Sequence, residues 1–162
     1  MPDEEEMPYY ITKASLEGLR QKVEQIQYRL KHEVSKEIGK AASLGDLSEN
    51  AEWEAAIELQ GNLKNEVSRI MDKIREASVI EELPISGDRV TIGTRVTLFD
   101  LDKNEELTYK ILGEEESDLS NGIISFSAPL SRGLMQKEPG DEVAVQLPGG
   151  LIIYATVDVE KI

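Results

Sequence analysis

The chain has 162 residues, 40% apolar and 31% charged, which suits one compact domain or two small ones and excludes a disordered chain. It has no cysteine, so disulfides, thiolate nucleophiles and cysteine-ligated metal centres are excluded and a reducing cytoplasm is expected. The net charge of -14, shared as -7 in residues 1–83 and -7 in residues 84–162, argues against wrapping duplex nucleic acid and favours a basic protein partner or a metal.

The chain opens on the acidic Met1-Pro2-Asp3-Glu4-Glu5-Glu6, unlike the basic start of a signal peptide, and residues 1–8 are expected to be disordered. No apolar run is long enough to span a bilayer, so neither secretion nor a membrane partner is expected. From Leu16 the apolar residues run Leu16, Leu19, Val23, Ile26, Leu30, Val34 and Ile38, a spacing of three and four that predicts one seam of a coiled coil on a helix over 12–43. Such a helix is roughly 48 Å long at about 1.5 Å per residue, so it should project from a domain of this size. Within it, seven Lys or Arg face only four Glu, which makes 12–43 locally positive in an acidic chain. A second helix is predicted from the alanine-rich start at Ala51 through Leu63, Val67, Ile70, Ile74 and Ala77. Gly45 is a natural helix stop between the two, and an antiparallel hairpin with its tip at 44–50 is the simplest arrangement.

Pro84 and Gly87 then mark a linker, so the boundary is placed between a helical domain of residues 1–83 and a second domain of residues 84–162. Strands are predicted over 90–99, 107–112, 122–127, 143–147 and 151–157, with a hairpin at Pro148-Gly149-Gly150 and one short helix over 129–136 that starts on its proline. Glu114-Glu115-Glu116 reads as a solvated loop. The fold class is therefore α+β: a coiled-coil hairpin followed by an antiparallel sheet that carries a helix.

Asp46 and Glu49 are the candidate chemical pair, since acids three apart at the end of a rod can share a divalent cation through oxygen ligands. Two carboxylates do not fill an octahedral shell, so another molecule must supply the rest. A structural reading stands beside this one: Asp-x-x-Glu opening a helix is also a capping box. His32 is the only histidine, lies off the seam and reads as solvated surface. Trp53 sits where it can pack across the top of the hairpin or stack on a nucleotide base. No enzyme signature is present.

The stretch Gly45-Asp46-Leu47-Ser48-Glu49-Asn50-Ala51-Glu52-Trp53 resembles the tip motif GDLSENAEY of the GreA and GreB transcript cleavage factors, and GreA is the nearer type. The resemblance continues through Gly93-Thr94-Arg95-Val96, Ser127-Ala128-Pro129-Leu130-Ser131-Arg132-Gly133 and Pro148-Gly149-Gly150. It implies that the second domain is FKBP-like and docks on bacterial RNA polymerase through Ser127, Pro129 and Arg132, and that the coil enters the secondary channel of the elongation complex. It further implies that Asp46 and Glu49, supported by Gly45, Ser48 and Asn50, join the polymerase's own aspartates around Mg2+ and promote hydrolysis of the nascent RNA 3′ end. A monomer that binds no metal tightly by itself is expected. Two departures are visible: Leu44 stands where the family usually has histidine, and Ala42 and Ile57 stand where it often has arginine. Lys36 and Lys40, four apart on one helical face, remain as candidates for RNA contact, or form a solvated face paired with Glu33 and Glu37. Rival readings are a channel-binding inhibitor of the same fold, an FKBP-like prolyl isomerase for which only Phe99 and Phe126 supply phenylalanine, and a plain coiled-coil scaffold.

Overall fold

A computed structural model describes residues 8–46 and 50–162, so the expected disorder of 1–7 and the residues Leu47, Ser48 and Glu49 lie outside it. Its contacts divide it into two compact units, one spanning Leu16–Glu76 and the other joining Ala77–Ile162 with the described residues up to Ser15. The unit boundaries thus fall at 15/16 and 76/77, ahead of the Pro84 linker. Among the described residues no helix is long and apolar enough to cross a membrane.

In the helical unit the chain is helical from α1 (Lys13–Arg29) through a π turn (Leu30–Val34) into α2 (Ser35–Ala42), and it returns in α3 (Ala51–Glu76). Leu16, Leu19, Val23, Ile26, Val34 and Ala41 are buried on the outgoing strand of the hairpin, and Ala56, Leu63 and Ile70 on the returning one. Lys22 and Glu66 pair across the helices at 3.1 Å. The sequence explains the π turn: Ile26, Leu30, Val34 and Ile38 are each four apart, and a regular helix of 3.6 residues per turn would carry such a series off the seam. Taking an extra residue into one turn keeps the stripe aimed at α3. Ser35 accommodates the wider turn, its N–H donating to the Leu30 carbonyl and its hydroxyl to Lys31 O at 2.5 Å.

The second unit holds two sheets. The smaller pairs β1 (Tyr9–Ile11) with β2 (Ala77–Val79) in parallel, in the register Tyr9↔Ala77 to Ile11↔Val79. Ala77, expected as the last seam residue of the second helix, is the first residue of β2. The larger sheet has five strands in the order β5-β4-β3-β7-β6, from β3 (Thr94–Asp100), β4 (Glu105–Leu112), β5 (Ile123–Ser125), β6 (Glu142–Leu147) and β7 (Gly150–Lys161). It is antiparallel except at its edge, where β5 runs parallel to β4. β3 alternates strictly, with Thr94, Val96, Leu98 and Asp100 facing inward, as a strand buried on one face must. α4 (Pro129–Leu134) opens on its proline and contacts β6, and Gly133 allows this approach because a Cβ there would lie 2.9 Å from a Val145 methyl. Val90, Val96, Leu98, Ile111, Ile124, Leu134, Val145, Tyr154 and Val159 form the core.

Several predicted boundaries move, the last strand running to Lys161 rather than 157, and two of the moves have a clear cause. Val90 is fully buried, but its backbone exchanges hydrogen bonds with Lys137 and Gln136 rather than joining β3, so its apolar character marks core and not strand. α4 stops at Leu134 because Gln136 takes a positive φ of 66° to make that contact. The Glu114–Glu116 segment, expected as a solvated loop, is a 3-10 turn in which Glu114 and Glu115 are exposed, and its three carboxylates accept hydrogen bonds from Ser127, Tyr9 and Thr12.

Candidate functional site at the hairpin tip

α2 ends conventionally, with Ser43 N–H directed at Gly39 and Lys40 carbonyls and the Ser43 hydroxyl on Lys40 O at 2.6 Å. Gly45 follows at φ +133°, a conformation open to glycine and strained for other residues. Asp46 is exposed directly after it.

The decisive local geometry is that of Asn50. Its Oδ1 accepts from Trp53 N–H at 3.1 Å and its backbone carbonyl from Glu54 N–H at 3.0 Å, which makes Asn50 the N-cap of α3. Its Nδ2 donates to Ala41 O at 2.5 Å, so one amide also ties the start of α3 to the end of α2. An amide offers its acceptor and its donors on separate atoms of one short side chain, so it can do both at once. Asn50 thus caps the start of α3 four residues after Asp46. Glu52 and Glu54 in the first turn of α3, with Lys73 and Arg75 in its last, complement the helix dipole. Trp53 is half-buried behind the cap. Glu49 and Ser48 lie outside the described residues. Among the described residues no group of three or more His, Cys, Asp or Glu is arranged to hold a metal ion.

Behind the tip, Ala41, Ala55 and Ala56 line an open groove between α2 and α3 with Glu37, Lys40, Glu52 and Leu59. Lys36 and Lys40 are exposed on α2, and among the described residues neither forms an ion pair, while Glu33 is bound by Arg29 at 3.5 Å. Ala42 and Ile57 are exposed as well. His32 is exposed, as expected, but its ring meets that of Tyr28 with centroids 4.3 Å apart.

In the sheet unit, Pro129 and Arg132 are exposed on one face of α4, whose opposite face buries Ser131 and Leu134. Ser127 is half-buried and held by Ser125 Oγ at 2.8 Å and Glu114 Oε1 at 3.2 Å. Phe126 is engaged edge-on by Tyr10, centroids 5.2 Å apart, rather than lining an aromatic pocket.

Sequence reasoning placed the start of α1 at residue 12 but missed how it is capped. Thr12 Oγ1 accepts from Ser15 N–H at 3.2 Å, while Glu116 Oε1 accepts from both the Thr12 amide (2.7 Å) and its hydroxyl (2.9 Å). Glu81 takes the Lys13 amide at 3.0 Å. The acids that usually stand in a helix's own first turn are absent from α1 and arrive from positions far along the chain.

The family described as "Transcription elongation factor, N-terminal" matches residues 9–79, and "Transcription elongation factor, GreA/GreB, C-term" matches residues 85–161. The chain belongs to the GreA/GreB family of transcription elongation factors. It is 40% identical over 146 residues to transcription elongation factor GreA of Syntrophotalea carbinolica, covering 88% of this chain and 92% of that protein. It is also 40% identical over 153 residues to GreA of Neisseria meningitidis serogroup A, covering 94% and 97%. The solved GreA factor homolog 1 (Gfh1) of Thermus thermophilus aligns over 95% of this chain and 99% of its own at 24% identity and a TM-score of 0.42.

Proposed function

We propose that this GreA/GreB family member binds RNA polymerase in backtracked elongation complexes, inserts its helical hairpin into the secondary channel and stimulates the polymerase's own cleavage of the nascent RNA 3′ end. The observation that supports this reading most directly is the Asn50 cap: one amide caps α3 and ties its start to the end of α2, and Asp46 stands exposed shortly before it.

Asp46 and Glu49 would complete, with carboxylates of the polymerase, the oxygen shell of a catalytic Mg2+, and the donor set fits because hard oxygens at an exposed tip suit a hard cation that two carboxylates alone cannot enclose. When bound there, the cation supplies charge stabilisation at the attacking and leaving oxygens of phosphodiester hydrolysis. The chain's own residues have simpler tasks. Gly45 turns the backbone out of α2, and Asn50 fixes where α3 begins. Ser48 adjoins Glu49 in sequence and is a further polar group for orienting it. Ser127, Pro129 and Arg132 supply the docking face, and Lys36 and Lys40 offer positive charge to the displaced RNA. With Ala42 and Ile57 in place of arginine, this charge is small, so release of short 3′ fragments is expected to predominate.

The test is Asp46→Asn with Glu49→Gln in the full-length protein. Cleavage of a backtracked transcript should be lost while polymerase binding stays within about twofold. Parallel loss of both would mean that the acids serve folding or docking, and full retention of cleavage would overturn the assignment.

A further inference from the structure

α4 covers the face of the five-stranded sheet that holds Leu98, Val145 and Tyr154, and the opposite face is open to solvent. An antiparallel sheet with one face in water normally turns apolar residues inward and polar residues outward. β7 does not follow this rule. Its outward residues Leu151, Ile153 and Ala155 are apolar, and Leu151 and Ile153 are 58% and 40% exposed. Val157 is exposed as well, at the bulge where the pairing with β3 skips from Asp158 to Thr156. On β3 the outward Phe99 lies opposite Ala155, and the exposed Leu101 follows it, its N–H donating to the Ile153 carbonyl at 3.1 Å.

These residues form a stripe with acids along its edges. The strands on either side turn polar groups outward, Glu106 and Thr108 from β4 and Glu142 and Gln146 from β6. One row across the sheet reads Glu106, Phe99, Ala155, Glu142, with an acid at each end and apolar groups between. Asp158 closes the stripe beyond Val157, and among the described residues none of these three acids forms an ion pair. The outward cations Arg95 and Lys110 stand one row farther on, where Glu160 holds Arg95 at 2.6 Å. Two strands about 4.8 Å apart, with their side chains, make the stripe about 10 Å wide, and Leu151 to Val157 makes it about 20 Å long at about 3.3 Å per residue. That is the footprint of a single helix, about 10–12 Å across and about thirteen residues long. A second sheet would need apolar groups across several strands.

We propose that this stripe is the docking site for a basic amphipathic helix of a second partner protein, which lays its apolar face on Leu151, Ile153 and Phe99 and sets lysines or arginines against Glu106, Glu142 and Asp158. Charge selects the occupant. Acids flanking an apolar strip attract a helix with positive shoulders, whereas a second copy of this chain brings the same acids and a net charge of -14. Apolar anchors at i, i+3, i+4 and i+7 are what such a helix must offer. The partner is distinct from the polymerase, because Pro129 and Arg132 belong to α4 and Ser127 leads into it, and α4 packs on the other side of the sheet against Val145. Only this last step rests on the function proposed above.

The probe is a fluorescent synthetic helix of about thirteen residues, with leucines at i, i+3, i+4 and i+7 and lysines on both shoulders, titrated with the full-length protein and followed by anisotropy. A counterpart carries glutamates in place of the lysines. The lysine helix should bind at least about tenfold more tightly than the glutamate helix. Leu151→Ser with Ile153→Ser should weaken the lysine helix about tenfold, and the urea midpoint should stay nearly unchanged because both side chains are exposed. Glu106→Lys with Glu142→Lys should reverse the preference between the two helices. With saturating RNA polymerase present, the affinity should stay within about twofold of that of the free protein. Equal binding of the two helices, or binding that survives both pairs of substitutions, would overturn the site. Displacement by the polymerase would make the polymerase its occupant, and a dimer in sedimentation that Leu151→Ser with Ile153→Ser abolishes would make it a second copy; either result overturns the proposal. Binding to the free protein is measured without transcript cleavage, so the stripe and the proposed function fail separately.

Discussion

The two units of this protein are held together by different physics. In the sheet unit, nine apolar residues converge on a core in which Val90, Val96, Leu98, Ile111 and Leu134 are wholly buried. In the helical unit the buried residues form a single stripe, and it thins toward the tip: Leu16, Leu19, Ile26, Leu63 and Ile70 give way to Ala41 and Ala56. With about 0.8 kcal/mol per buried methylene, an alanine contributes little of what a leucine does. The tip is instead organised by hydrogen bonds, above all those of Asn50. The two units thus separate apolar burial from polar organisation, burial being least near Asp46, where local geometry depends on one polar side chain.

The separation can be broken from either side. Leu98→Ala removes a wholly buried side chain from the middle of β3 and should cost about 3 kcal/mol, read as a lowered urea midpoint, with cleavage stimulation near normal in the protein that remains folded. Asn50→Ala loses a cap and a cross-helix bond, and should cost about 1–2 kcal/mol, with only a small shift in the global transition. Its effect on transcript cleavage should nevertheless be much greater, at least tenfold, because α3 loses its fixed start. If Asn50→Ala were destabilising yet fully active, the tip would not need its cap and the contrast would collapse. A smaller effect is expected from Ala42→Arg with Ile57→Arg: both positions are exposed, so stability should change by less than about 0.5 kcal/mol, while the range of released fragments extends to longer RNA.

Much of this was legible because it is periodic or local. The three-and-four spacing from Leu16 to Ile38, the stop at Gly45, the proline that opens α4 and the Pro148-Gly149 turn each declare an element within a few residues. The π turn was present in the run of four-residue intervals, although its consequence is visible only once the seam must face a partner. What could not be read is long-range. β1 and β2 are three residues each, too short for a period, and Glu81 and Glu116 serve Lys13 and Thr12 respectively from 68 and 104 positions away. Val90 was read as strand because burial and strand propensity select the same side chains. At the site, spacing alone left Asp46 divided between cap and chemistry, and it did not point to the Asn50 amide as a cap of α3.

The smallest expected effect lies where the amino-terminal strand meets the Glu114–Glu116 turn. Burial holds the Tyr9 phenol protonated well above the usual tyrosine range, helped by its hydrogen bond to Glu115 and by the negative charge of that turn. A group whose folded-state pKa is raised contributes stability that is fully present below its unfolded value, about 10, and is lost as pH rises through the folded value. Tyr9→Phe should therefore be less stable than the parent at neutral pH, but only by a few tenths of a kcal/mol, since the pair is largely open to solvent and screened. As Tyr9 ionises, its charge is opposed by burial and by the carboxylates of the turn, so the difference should shrink and then reverse. Phenolate absorbance offers a direct reading: burial also raises Tyr154, so the parent should show late-titrating phenols, and Tyr9→Phe should remove one of them. An unchanged alkaline titration would mean that Tyr9 is not held in this way, and that β1 is anchored by its pairing with β2 and by Thr12 rather than by its tyrosine.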